Sequence, residues 1–181
     1  MFPSDKELLS QFSFSSTKEK GFTSIIKKYQ EKLYWHIRRM VIDHADADDI
    51  LQNVFIKVWK GLENFREDSQ LYTWLYRIAT NETLSFLEKQ KRNSTLSLSD
   101  MENSWENKIK ADEHFDSNQL EWKLQLAIKQ LPEKQRLVFN LRYFDAMPYE
   151  EMSRILDTSE GSLKASYHHA AKKIEMILTS Y

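Results

Sequence analysis

The stretch from Leu131 to Glu175 reads LPEKQRLVFNLRYFDAMPYEEMSRILDTSEGSLKASYHHAAKKIE. Its apolar residues recur at spacings of three and four, the period of helices with one buried face. Leu137, Val138 and Leu141 make one stripe. Met152, Ile155 and Leu156 make a second, and Leu163, Tyr167, Ala170, Ile174 and Ile177 a third. Pro132 and Pro148 each suit the first position of a helix, where no N–H is needed. Asp157-Thr158-Ser159 reads as a short turn. A short helix, a tight turn and a longer helix form a helix-turn-helix. The longer helix of such a pair is the one that enters a DNA major groove. Its outer face carries Lys164, Ser166, His168, Lys172 and Lys173, which can reach bases and phosphates. The same residues also suit a plain solvated face.

Upstream, Leu120, Leu124, Ala127, Ile128 and Leu131 predict one more helix, ending near Pro132. Before it the pattern fails. Leu96 to Leu120 holds 2 basic and 6 acidic residues, a net of −4, and is rich in Ser, Asn and Asp. This reads as a linker, 96–118, between two small domains, 1–95 and 119–181. In the first domain Phe22, Ile25, Ile26, Tyr29, Leu33, Ile37, Met40 and Val41 form the stripe of a long helix. Ile50, Leu51, Val54, Phe55, Val58, Trp59 and Leu62 form a second. Asp46, Asp48 and Asp49 stand at its expected start, where carboxylates suit the helix dipole. Leu71, Trp74, Leu75, Ile78, Ala79 and Phe86 form a third. The polar stretch Glu63 to Gln70 reads as a loop. The fold class expected is all-α.

Composition excludes much else. The 181 residues include three glycines and no cysteine. That is too little glycine for a phosphate-cradling loop or a many-hairpin β fold. Disulfides, thiolate zinc sites and cysteine nucleophiles are excluded together, and a reducing compartment fits. No apolar run approaches the ~20 residues that span a bilayer, and Met1 to Gln11 lacks a signal pattern. With 26 Lys+Arg against 27 Asp+Glu the net charge is −1, so the whole chain is not a basic nucleic-acid binder. Asp46-Ala47-Asp48-Asp49 lacks the glycine and final acid of a calcium loop. His168 and His169 are expected to face opposite ways around their helix, no di-iron motif is present, and no serine sits in a nucleophile turn. No cofactor, metal or catalytic role is expected.

Three stretches together resemble the sigma-70 family of bacterial transcription initiation factors. They are DADDILQNVFIKVWKGLENFRED (Asp46 to Asp68), YTWLYRIATNETLSFLEKQKR (Tyr72 to Arg92) and the Leu131 to Glu175 stretch. More narrowly the chain resembles the extracytoplasmic-function group, which keeps only regions 2 and 4. The resemblance implies that the factor joins core RNA polymerase in the cytoplasm, directs it to promoters and stabilises melting. Asp49, Gln52 and Asn53 occupy the DxxQ(E/N) positions that dock on the beta-prime clamp, with Asn53 where an acid is usual. Phe65, Arg66, Ser69, Trp74, Arg77 and Asn81 lie where the family reads the −10 element as a melted strand. Arg77, Lys89, Lys91 and Arg92 would hold phosphates. Ser162, Leu163, Lys164, Ser166, Tyr167, His168 and Lys172 fall near the −35 element. Ser166 and His169 stand where arginines are common, and Tyr167 belongs to the inward stripe. The resemblance also implies contact with the polymerase beta flap, and an inhibitory anti-sigma factor is a common partner in the group. The acidic linker resembles the family's segment that threads toward the polymerase active centre, or else is a solvated spacer.

Two other readings fit the helices. One is a stand-alone helix-turn-helix regulator that binds duplex DNA without polymerase. The other is a helical adaptor that binds only protein. TWLYRIATN beside the DADDILQ helix is the feature that such a regulator does not need, and the adaptor predicts no DNA contact even with polymerase present.

Overall fold

The computed structural model describes residues 2–41, 43–65, 69–93 and 119–179. The linker 96–118 and Arg66 lie outside the described residues. Among the described residues all regular structure is helical. The chain divides into two compact units at Glu88–Lys89.

The first unit begins with α1, Asp5–Ser13, which the hydrophobic stripes do not announce. Ser4 caps it: the Glu7 backbone N–H donates to Ser4 Oγ at 3.3 Å, and the Ser4 N–H donates to Glu7 Oε2 at 2.7 Å. The Ser4 hydroxyl also donates to Glu7 Oε2, at 2.7 Å, and this bond first, then the one from the Ser4 N–H, holds the Glu7 pKa below the usual range. Leu8 and Phe12 bury its inner face. α2, Lys18–Met40, follows. A β-carbon on Gly21 would lie 2.7 Å from the backbone nitrogen of Phe12, so only glycine lets α1 and α2 approach this closely. Lys28 Nζ and the Tyr29 hydroxyl both donate to Asp5 Oδ1, at 2.8 and 2.7 Å, and tie the start of α1 to α2.

α3 spans His44–Gly61 and runs into a 3-10 turn, Leu62–Asn64. Its cap is Asp43, whose side chain accepts from the Ala45 N–H at 3.0 Å. Only Asp46 therefore lies in the first turn. Asp46 thus stands where the helix dipole favours it, while Asp48 and Asp49 sit deeper in the helix, where the dipole has largely faded, which corrects the role expected of those two. α4, Leu71–Asn93, packs through buried Leu71, Leu75, Tyr76, Ala79 and Thr83. His36 of α2 hydrogen-bonds Thr80 of α4 at 3.0 Å within this core.

The second unit contains α5, Gln119–Lys129; α6, Glu133–Tyr143; α7, Tyr149–Leu156; and α8, Glu160–Thr179. Its core gathers Ala127, Ile128, Leu131, Phe139, Ala170 and Ile174. Phe139 stacks on Tyr167 of α8 at 5.6 Å and 12°. Pro132 and Pro148 stand at the N-cap, one residue before the position expected, because each holds an extended ψ that leads into the helix. Asp157 ends α7 with φ of 50°, a left-handed conformation that Asp tolerates better than most residues. Ser159 then starts α8 by accepting from the Ser162 N–H at 3.3 Å.

Candidate nucleic-acid and polymerase interface

On α3 the residues Ala47, Ile50, Val54 and Val58 are buried, while Asp49, Gln52 and Asn53 are exposed. Helical spacing puts these three polar side chains on one face within about one turn. Ile56, 52 % exposed, continues that face by one further turn. Sequence reasoning missed it, although its spacing of seven from Asp49 was legible. A large apolar side chain left in water at the end of a polar row suits a protein interface, where apolar contacts sit among hydrogen-bonding groups.

The loop after α3 brings Phe65 against Trp74, with ring centroids 5.1 Å apart and planes tilted by 48°. Both are half-buried. A β-carbon on Gly61 would lie 3.0 Å from the Trp74 ring, so the glycine leaves room for the indole. Ser69 is half-buried, and Arg77 and Asn81 are exposed one turn apart on α4. Arg92 shares their face by spacing, and Lys89 and Lys91 are exposed nearer the end of the helix. Asn is a poor residue for a helix interior, and Asn81 holds such a place facing solvent.

On α8 the exposed residues fall into two rows. Ser162, His169 and Lys173 line one, with half-buried Ser166 between them, and Lys164, His168 and Lys172 line the other. Leu163 does not join them. It is 2 % exposed and belongs to the core, which corrects its place among the −35 residues. The physical reason is periodicity: it stands one turn before Tyr167 and two before Ala170 on the inward face. His168 and His169 are both exposed with rings 6.1 Å apart. The expectation that they face opposite ways is corrected, because adjacent helix residues diverge by only about 100°. The Lys173 ammonium donates to the Gln130 carbonyl at 3.2 Å.

A cluster absent from the sequence reading forms around Tyr149. The Arg142 guanidinium lies 5.2 Å and the Lys164 ammonium 5.5 Å from its ring centroid. Arg142 also donates to the Met147 carbonyl at 3.1 Å, and Lys164 pairs with Glu160 at 3.3 Å. Three helices thus bring two cations to one aromatic ring, an arrangement that cation–π attraction stabilises. No single stretch of sequence signals it. Among the described residues no group of three His, Asp or Glu could hold a metal, and no helix is long and apolar enough to cross a membrane.

These two units match known families. Residues 25–93 match Sigma-70 region 2, and residues 121–174 match Sigma-70, region 4. The RNA polymerase sigma-H factor of Pseudomonas aeruginosa is 30% identical over 168 residues, covering 88% of this chain and 87% of that protein. The ECF RNA polymerase sigma-E factor of Escherichia coli K12 is 32% identical over 165 residues, covering 87% and 86%. Two solved structures share the fold at 20% identity. CnrH in complex with the cytosolic domain of CnrY gives a TM-score of 0.71 and covers 97% of both chains. The sigma factor RpoE in complex with the anti-sigma factor NepR, from Bartonella quintana, gives 0.70 and covers 88% of this chain and 98% of that one. A helical module followed by a helix-turn-helix module is the architecture of a DNA-binding transcription protein. The chain belongs to the sigma-70 family, in its extracytoplasmic-function group. It is a transcription initiation factor that directs RNA polymerase to promoters, and a stand-alone regulator is not favoured.

Proposed function

We propose a division of labour among these surfaces. Asp49, Gln52, Asn53 and Ile56 dock the first unit on the beta-prime clamp of core polymerase. The observation that carries this is the capping of α3 by Asp43, which leaves exposed Asp49 without a helix-start role. Phe65, Arg66, Ser69, Trp74, Arg77 and Asn81 hold the melted −10 strand. Extruding a base costs a few kcal/mol, offset by stacking and edge hydrogen bonds. Lys89, Lys91 and Arg92 neutralise its phosphates.

In the second unit Ser162, Lys164, Ser166, His168 and Lys172 face the −35 duplex. Arg142 and Tyr149 join them through the cluster around the Tyr149 ring, as a phosphate-binding shoulder. The same unit meets the beta flap. The protein acts in the cytoplasm together with core polymerase, and the catalysis belongs to the polymerase. The NepR-bound relative supports an anti-sigma factor as a further partner.

The test is a pull-down titration with purified core polymerase. Asp49→Ala combined with Gln52→Ala is expected to weaken binding while circular dichroism stays unchanged. Equal affinity with an intact helical spectrum would overturn the docking assignment.

A further inference from the structure

α4 carries a row of hydroxyls on its buried side: Thr73, Tyr76, Thr80 and Thr83 recur at spacings of three and four, and all are buried. A polar side chain of α2, His36, meets two of them and is itself fully buried. Its Nε2 is hydrogen-bonded to Thr80 Oγ1 at 3.0 Å, and its ring centroid lies 5.0 Å from that of Tyr76. We propose that His36 is a positioning residue for promoter reading. It sets the rotation and height of α4, and so the place of Arg77 and Asn81 against the melted strand. The proposal rests on the reading of that face as the −10 strand site.

Three observations support it. Tyr76 and Thr80, the residues that His36 touches, are one turn apart, and each directly precedes a member of the exposed pair, Arg77 and Asn81. Contact from α2 therefore grips the same turn of α4 that carries the exposed pair. A roll of α4 that shifts Thr80 shifts Asn81 by the same angle. Next, Thr83 donates to the Ala79 carbonyl of its own helix at 2.8 Å, a common bond for a helical threonine, whereas Thr80 reaches across to α2. Finally, among the described residues the backbones of α1 and α3 approach α2 closely, while that of α4 does so at few points. Side chains, rather than close backbones, set the register of α4 on α2.

Apolar packing holds α4 in place without choosing one register sharply, because hydrophobic attraction has no direction. A hydrogen bond has direction. A shifted α4 would bury the Thr80 hydroxyl without its partner, which is costly. Buried polar groups can fix register in this way while adding little stability. Stability and promoter reading are thus separable here. Replacing both partners by apolar groups of similar shape can be nearly neutral for stability, yet it removes the directional contact.

The experiment uses the full chain with core polymerase on fork-junction DNA whose single strand carries the −10 element. Each −10 base is substituted in turn, and affinity is read by fluorescence anisotropy. At one position a wrong base is expected to weaken binding by about ten-fold, as a misread base does, and to have no effect in Asn81→Ala. His36→Leu and Thr80→Val are each expected to cut that penalty to about two-fold or less, because hydrogen bonds to a base edge weaken steeply with misalignment. His36→Gln, whose amide reaches as far as the imidazole Nε2, is expected to keep it. His36→Leu combined with Thr80→Val is expected to regain the thermal stability that either single variant loses, but not the base discrimination. Docking on core polymerase, followed by pull-down titration, is expected to stay unchanged in all four. Full discrimination in both His36→Leu and Thr80→Val overturns the proposal and leaves the −10 reading intact. So does discrimination that returns with stability in the double variant, or a loss in His36→Gln equal to that in His36→Leu. If no position depends on Asn81, the −10 reading falls and the role of His36 falls with it.

Discussion

At position 163 a leucine only 2 % exposed stands beside the exposed ammonium of Lys164. Leu163→Ala is expected to destabilise the second unit by about 2–5 kcal/mol, the usual cost of removing a packed leucine. Denaturant unfolding followed by circular dichroism measures it, and a loss near zero would return Leu163 to the DNA face. Lys164→Ala is expected to leave stability nearly unchanged and to weaken promoter binding by polymerase. A base contact is worth about 1–3 kcal/mol at one promoter position. A phosphate contact instead lowers binding evenly across sequences and reduces the salt slope by about one. Titration against promoter variants at several salt concentrations separates the two. The position of the lysine head group is itself set by Tyr149 and Glu160. Tyr149→Ala is therefore expected to weaken binding in the same direction by freeing the position of the Lys164 head group.

At the scale of elements, α1 is fastened to α2 by a polar knot with a clear titration signature. The Tyr29 hydroxyl donates to Asp5 Oδ1 at 2.7 Å. Burial, and then this bond, push the Tyr29 pKa well above its ordinary value. A group whose folded pKa is raised contributes stability that is complete below the unfolded pKa, about 10 for tyrosine. That stability is lost as pH rises beyond it. The first unit is thus expected to lose stability above about pH 10. In Tyr29→Phe this part of the alkaline loss is absent, at the cost of lower stability near neutrality. Thermal unfolding from pH 7 to 11, roughly the span around the free tyrosine value, decides it; identical slopes for both proteins would sink the assignment. The opposite sign holds for Glu7. Its lowered pKa, set first by the Ser4 hydroxyl, gives stability that is lost as pH falls through the folded value.

For the whole molecule, charge is the governing quantity. Residues 1–95 hold 15 basic and 13 acidic groups, a net of +2, and residues 121–181 hold 9 and 8, a net of +1. Duplex affinity comes mainly from counterion release as phosphates are neutralised. So small a surplus, with a linker segment of net −4 in the same chain, supplies little. The isolated protein is expected to bind promoter duplex with Kd no tighter than roughly 10⁻⁴–10⁻⁶ M. Core polymerase is expected to restore specific binding. Anisotropy titrations near about 150 mM salt, where the Debye length is ~8 Å, test this with and without the core enzyme. Nanomolar, sequence-specific binding by the free chain would contradict the charge account.

The sequence by itself determined the helices and the family, because both depend on local pattern. Apolar spacing of three and four names a buried stripe wherever it occurs. The motifs from Asp46 to Arg92 and from Leu131 to Glu175 lie within continuous stretches. α1 was legible too, through the Ser4–Glu7 capping box, but its few apolar residues make no long stripe. Tertiary structure decided what depends on residues far apart in the chain. It brought His36 of α2 into hydrogen-bonding distance of Thr80 of α4 and stacked Phe139 of α6 on Tyr167 of α8. It gathered Arg142, Tyr149 and Lys164 together from three helices. Helical period fixes the face on which a side chain stands; only packing fixes which face is covered, and by what.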